Sequence, residues 1–120
     1  MFQKFEINTI HTNIDEPLKK YVNKKIGGLD KYTPRQAKKS AHCEVHLKEL
    51  KSSNKNNCRC EVTIYLPHQT IVVKESAINM YAAVDIVEAK LKMQLKKYKD
   101  THHNSKMKRH IMARFRNKNN

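Results

Sequence analysis

Residues 80–98 read MYAAVDIVEAKLKMQLKKY, and within them Met80, Val84, Val87, Leu91, Leu95 and Tyr98 recur at three- and four-residue steps. At about 3.6 residues per turn that spacing gathers all six onto one stripe, which predicts a long amphipathic helix of about five turns. Ser76 or Asn79 stands where its side chain can accept a first-turn N–H, so either could cap the start. A single apolar stripe needs a surface to bury against, and the chain before it supplies a sheet.

Thr70-Ile71-Val72-Val73 is a β-branched run that follows Pro67-His68-Gln69, a turn short enough for antiparallel pairing with the segment before it. That segment alternates, with Cys58, Cys60, Val62, Ile64 and Leu66 on one face. Ala41, Cys43, Val45 and Leu47 alternate in the same way, and the polar run Ser52-Ser53-Asn54-Lys55-Asn56-Asn57 reads as a long hairpin connection between the two. From Phe5 to His11 a further alternation sets Phe5, Ile7 and Thr9 against Glu6, Asn8 and Ile10, as in a half-buried strand.

Between the first two strands, Asp15-Glu16-Pro17 marks a helix start: proline loses nothing in the first turn, and acids suit the positive end of the helix dipole. Leu18, Tyr21, Val22, Ile26, Leu29 and Tyr32 form the buried stripe, and Thr33-Pro34 ends it. Gly27-Gly28 lies inside this span at a cost of about 1 kcal/mol per glycine, so the helix should bend or break there. The expected fold is α+β in the order β-α-β-β-β-α, one four-stranded sheet with both helices on its inner face. His42, Glu44, His46, Arg59, Glu61 and Thr63 would make the polar outer face, with Tyr65 the one aromatic pointing outward.

The 120 residues favour one domain, and 25 Lys+Arg against 11 Asp+Glu give a formal charge of +14. Charge of that size points to a phosphate-rich partner, nucleic acid before membrane. Residues 1–100 carry net +8 and residues 101–120 carry six basic residues and no acid, which divides the chain into a domain over 1–100 and a basic tail over 101–120, disordered in isolation. The N-terminus has no apolar signal segment and no run approaches the roughly 18 residues of a membrane span. With three cysteines, an odd number, these features lead us to expect free thiols and a cytoplasmic location.

Enzyme chemistry finds little support: there is no nucleophile with its base and no carboxylate pair in an apolar setting. Two glycines in the whole chain exclude a Gly-rich phosphate loop. Zinc at Cys43, Cys58 and Cys60 fails on geometry, because a hairpin turning near residues 53–54 would set Cys43 opposite about residue 63 and Cys58 opposite about residue 48. No metal and no cofactor is therefore assigned, and the cysteines read as small buried hydrophobes. His102-His103, at the junction with the tail, reads as solvated or phosphate-facing.

The lysines are the informative set. Lys90, Lys92, Lys96, Lys97 and Lys99 flank the long helix's stripe, with Lys90 and Lys97 nearly one above the other, and the acids after Glu75, only Asp85, Glu88 and Asp100, are too few for i,i+4 pairing to explain most of these lysines. Lys19, Lys20, Lys24 and Lys31 lie largely off the first helix's stripe. Lys25 falls near the middle of that stripe, where an unpaired ammonium would be costly to bury, so its stem should carry the charge out between the helices. Recognition of stacked bases on the sheet would need more outward aromatics than Tyr65.

The run Asn79-Met80-Tyr81-Ala82-Ala83-Val84-Asp85, followed by Lys90-Leu91, Gln94-Leu95 and Lys97-Tyr98-Lys99, resembles the signature of the ribosome hibernation-promoting factor family, also called ribosome-associated translation inhibitors. Leu18-Lys19, Tyr21-Val22, Lys24-Lys25-Ile26, Leu29 and Lys31-Tyr32 agree with it, so the resemblance spans roughly residues 3–100. It implies a fold similar to the double-stranded RNA-binding domain, and binding to the small ribosomal subunit and its rRNA in the mRNA channel near the A and P sites. There the protein would exclude mRNA and tRNA from idle ribosomes, with the whole ribosome as its wider partner and a monomeric state off it.

By position the resemblance makes Lys19, Lys25, Lys31, Lys90, Lys97 and Lys99 the first candidates for rRNA contact, with Lys20, Lys24, Lys92 and Lys96 next. Met93 and Gly28 depart from a pattern in which many members are basic. Long members continue into a dimerising domain, so the chain is expected to be a short form that does not pair ribosomes alone. Its tail, through Lys106, Lys108, Arg109, Arg114 and Arg116, would follow the mRNA path. Two rivals share the composition: a free double-stranded RNA-binding or mRNA-regulating module, and a module for anionic membranes or protein partners. The commitment of the large apolar residues to the sheet counts against the second.

Overall fold

The computed structural model describes residues 2, 4–10, 13–49 and 57–102. Four strands, β1 (Lys4–Ile10), β2 (His42–Glu49), β3 (Cys58–Leu66) and β4 (Gln69–Ala77), lie side by side in sequence order. β1 and β2 run parallel, whereas β2–β3 and β3–β4 are antiparallel. A parallel pair needs a crossover, and the first helical segment provides it. The expected α+β order is therefore the one observed, with a helical layer on one face of the sheet.

Helix α1 (Glu16–Lys25) starts at Asp15, whose Oδ1 accepts the Leu18 N–H at 2.9 Å, and has Pro17 in its first turn. The glycine pair ends the α-helical winding: Gly27–Tyr32 continues as a 3-10 segment, in which the Leu29 N–H donates to the Ile26 carbonyl at 3.1 Å. Neither glycine has a positive φ, so the break follows from low helix propensity rather than from a backbone only glycine can adopt. A one-turn helix α2 (Arg35–Lys38) follows Pro34, an element the sequence pattern does not signal.

Helix α3 (Met80–His102) begins at Asn79, whose Oδ1 accepts the Ala82 N–H at 2.8 Å; Ser76 lies inside β4 and takes no part. Such a cap is worth about 1 kcal/mol. Val84, Val87, Leu91 and Leu95 are fully buried against β3 and β4, and each aliphatic side chain so placed contributes roughly 1.5–3 kcal/mol relative to exposure. Tyr98 closes the stripe, its hydroxyl donating to the Pro67 carbonyl at 2.8 Å. From the sheet, Cys43, Val45, Leu47, Cys60, Val62 and Ile64 complete the core.

Three details differ from the sequence reading. β4 runs on to Ala77, well past Val73, because Cys58 to Leu66 offers an equally long partner. The β2–β3 register sets Cys43 opposite Ile64 and Glu49 opposite Cys58, one residue from the expected pairing, and this is the register that puts both apolar sets on one face. Thr63 is buried although it faces outward, because it sits on a central strand between Glu44 and Val72. The turn at Pro67-His68 is a two-residue loop with His68 at φ 69°, a left-handed position where histidine is among the better tolerated residues. His11, the connection at residues 50–56 and the tail from residue 103 lie outside the described residues.

Candidate nucleic-acid interface

Lysines gather where the first helical segment meets α3. At about 100° per residue, Lys90 and Lys97 lie on one flank of the α3 stripe, while Lys92, Lys96 and Lys99 lie on the other. The second flank faces the 3-10 segment. There the Nζ atoms of Lys31, Lys92 and Lys96 stand 5.3, 5.3 and 5.6 Å from the centre of the Tyr32 ring. The negative face of the phenol holds the ammoniums together, a cation–π arrangement that lets like charges sit close. Lys92 beside the Tyr32 hydroxyl, with added charge from Lys31 and Lys96, lowers the phenol below its ordinary value of 10.0.

A shallow cleft of about 120 Å³ adjoins this cluster, lined by Lys24, Lys25, Gly28, Lys31, Tyr32 and Lys92 among others. A Cβ built on Gly28 would meet nothing within 4 Å, so the cleft has room for a side chain at that position. By its spacing Tyr32 is the last residue of an apolar stripe. Its place after a helix-breaking glycine pair and beside Lys31 was the available signal for a second role.

Two of the leading lysines are already partnered. Lys25 emerges between the helices as expected, but its Nζ lies 3.9 Å from both Asp85 Oδ1 and Glu88 Oε2 and 5.6 Å from the Tyr21 ring centre. Asp85 also accepts a hydrogen bond from the Tyr21 hydroxyl, which pushes that phenol up to about 12. Tyr21 in turn packs edge-on against Tyr81, with ring centres 5.0 Å apart. Lys90 is bonded to Glu75 of β4. Neither pairing is an i,i+4 contact within a helix, which is why counting acids along α3 did not find them.

Lys19, Lys20, Lys24, Lys96 and Lys97 are exposed, and Lys99 is half-buried. Among the described residues no carboxylate lies within 4.0 Å of these six, nor of Lys31 or Lys92. Lys106, Lys108, Arg109, Arg114 and Arg116 lie outside the described residues. Such uncompensated ammoniums attract phosphate, and release counterions when they bind it.

The thiols do not form a common site. Cys43 and Cys60 are buried in the core and burial pushes both up to about 12; half-buried Cys58 is also raised, by burial and by Glu49. Among the described residues no helix is long and apolar enough to cross a membrane.

Comparison with known proteins gives a consistent result. The model of the Sigma 54 modulation protein / S30EA ribosomal protein family matches residues 5–103. The ribosome hibernation promotion factors of Lactococcus lactis subsp. cremoris (strain MG1363) and Staphylococcus aureus (strain COL) are each 31% identical over 96 residues, which is 80% of this chain. That stretch is 49% and 48% of those proteins, so the chain spans about half the length of the curated relatives it matches. The N-terminal domain of Thermus thermophilus Protein Y superposes with a TM-score of 0.65 at 26% identity, covering 82% of this chain and 99% of that one. A ribosomal subunit interface protein from Coxiella burnetii gives a TM-score of 0.64 at 23% identity with the same coverage, which speaks for the fold alone.

Proposed function

The chain belongs to the Sigma 54 modulation protein / S30EA ribosomal protein family, and from that premise we propose that it is a ribosome hibernation factor. It binds the small ribosomal subunit in the mRNA channel near the A and P sites, blocks mRNA and tRNA, and so inhibits translation on idle ribosomes in the cytoplasm. The observation that carries this reading is the set of uncompensated lysines on the helical layer, densest around Tyr32. The names of the two hibernation promotion factors point the same way.

The mode of action is binding and exclusion without chemistry. Lysine–phosphate attraction provides affinity and the shape of the helical layer provides location. Lys19, Lys20, Lys24, Lys31, Lys92, Lys96, Lys97 and Lys99 act as they stand. Lys25 and Lys90 act first as internal ties, to the acids of α3 and β4 respectively. The domain over 1–100 makes the main contact as a monomer, and the tail over 101–120 extends it along the mRNA path.

Competition binding tests the proposal. Labelled protein should sediment with small subunits and whole ribosomes, inhibit translation in vitro, and resist displacement by excess naked duplex RNA. Displacement by duplex RNA at equal phosphate concentration would instead indicate a free double-stranded RNA-binding or mRNA-regulating module.

A further inference from the structure

On the outer face of the sheet, turned away from the lysine-bearing helices, β1 and β2 bring two carboxylates directly opposite each other: Glu6 pairs with Glu44 in the parallel register. Like charges so placed repel and need a cation between or beside them. One oxygen of each is engaged on its outer side. Glu6 Oε1 lies 3.5 Å from the Lys4 Nζ, and Glu44 Oε2 lies 3.7 Å from His46 Nε2 and 3.4 Å from the Tyr65 hydroxyl.

The remaining oxygens converge on His42. Its Nε2 is 3.6 Å from Glu44 Oε1 and 4.0 Å from Glu6 Oε2. Both separations are too long for a hydrogen bond. Accordingly His42 Nε2 has no hydrogen-bond partner among the described residues although the atom is covered, and the Tyr65 ring lies against the imidazole with centres 5.3 Å apart. One donor atom from each of the three residues lies within 4.8 Å of the others. Ligands about 2.1 Å from a tetrahedral ion stand about 3.4 Å from one another. Small rotations of the two glutamates would close the set to that spacing.

We propose that Glu6, His42 and Glu44 form a site for a divalent transition-metal ion of the Zn2+ type, clasping edge strand β1 to β2. One imidazole with two carboxylates suits such an ion better than Mg2+ or Ca2+, which take oxygen ligands in larger number. Water completes the coordination. His46, on the far oxygen of Glu44, is a positioning residue rather than a ligand. The strand pattern His42-x-Glu44-x-His46 sets all three side chains on one face, and the parallel partner adds Glu6. The site goes beyond the ribosome-binding role and stands or falls independently of it.

Titration of the full chain with ZnCl2 under reducing conditions tests the proposal, by calorimetry and by the imidazole resonances of His42. Wild type should bind one equivalent of Zn2+ with a saturable shift of the His42 resonances, and raise its thermal midpoint. His42→Gln and Glu44→Gln should each weaken that binding by roughly tenfold or more and abolish the stabilisation, whereas Cys58→Ala should leave both unchanged. Absence of Zn2+ binding to wild type would overturn the site. So would binding that leaves the His42 resonances unmoved, or that survives both substitutions in variants whose circular dichroism is native.

Discussion

Replacing Lys92 and Lys96 together by glutamine removes two of the three ammoniums gathered on Tyr32. Neither has a carboxylate within 4.0 Å among the described residues, so each should displace a counterion from phosphate when the protein binds its subunit. Each cation lost from a phosphate contact lowers the slope of log K against log salt by roughly 0.7–0.9, so the double variant should lose about 1.4–1.8. Between about 50 and 200 mM salt that difference amounts to roughly a tenfold change in the wild-type to variant affinity ratio, largest at low salt. The assay is fluorescence anisotropy of labelled protein on purified small subunits over that salt series. Glu75→Gln provides the converse arm: freeing Lys90 from its carboxylate should raise the slope by up to about 0.9. A double variant with wild-type slope and affinity would refute the placement of the interface around Tyr32, and a Glu75→Gln slope unchanged from wild type would refute the view that Lys90 is held back by its partner.

Gly28→Lys should tighten subunit binding and steepen its salt dependence without loss of fold, because a Cβ there meets nothing within 4 Å and the side chain would join the lysine-lined cleft; unchanged anisotropy curves would count against that cleft as a contact. Deleting residues 101–120 should weaken binding and flatten the salt slope, since six basic residues leave with no acid; an unaltered slope would remove the tail from the interface. Stability should fall as pH rises above about 9. Burial holds the folded thiols of Cys43 and Cys60 up to about 12, whereas their ordinary value is 9.0, so the unfolded chain gives up protons first. Tyr21, also raised to about 12, adds to the loss above pH 10. The stabilisation is complete below the unfolded values and disappears on passing through the folded ones, at no more than about 1.4 kcal/mol per buried thiol per pH unit, with the solvent-screened Tyr21 contributing less. Urea midpoints at pH 7.5, 9 and 10 check this, and Cys43→Ala with Cys60→Ala should show a shallower decline than wild type.

What could be read from the chain alone was whatever depends on neighbours a few residues apart. The α3 stripe and the alternating faces of β2 and β3 follow from backbone periods of about 3.6 and 2 residues, and the helix start at Asp15-Glu16-Pro17 and the break at Gly27-Gly28 follow from the local preferences of those residues. Each was found where the sequence put it. The lysines, too, were legible as a surplus over acids.

Their individual states were not. Lys25 meets Asp85 and Glu88 only because α1 packs beside α3, and Lys90 meets Glu75 only because α3 lies across β4. Tyr32 gathers Lys92 and Lys96 from a helix some sixty residues away in sequence. Thr63 is covered by strands on both sides, and Glu6 comes opposite Glu44 through a parallel register whose crossover is the whole first helical segment. Local spacing determined which faces were apolar and which were cationic. The packing of layers and the strand register decided which charges were neutralised, since electrostatic partners are chosen by distance in space and these pairs are remote along the chain.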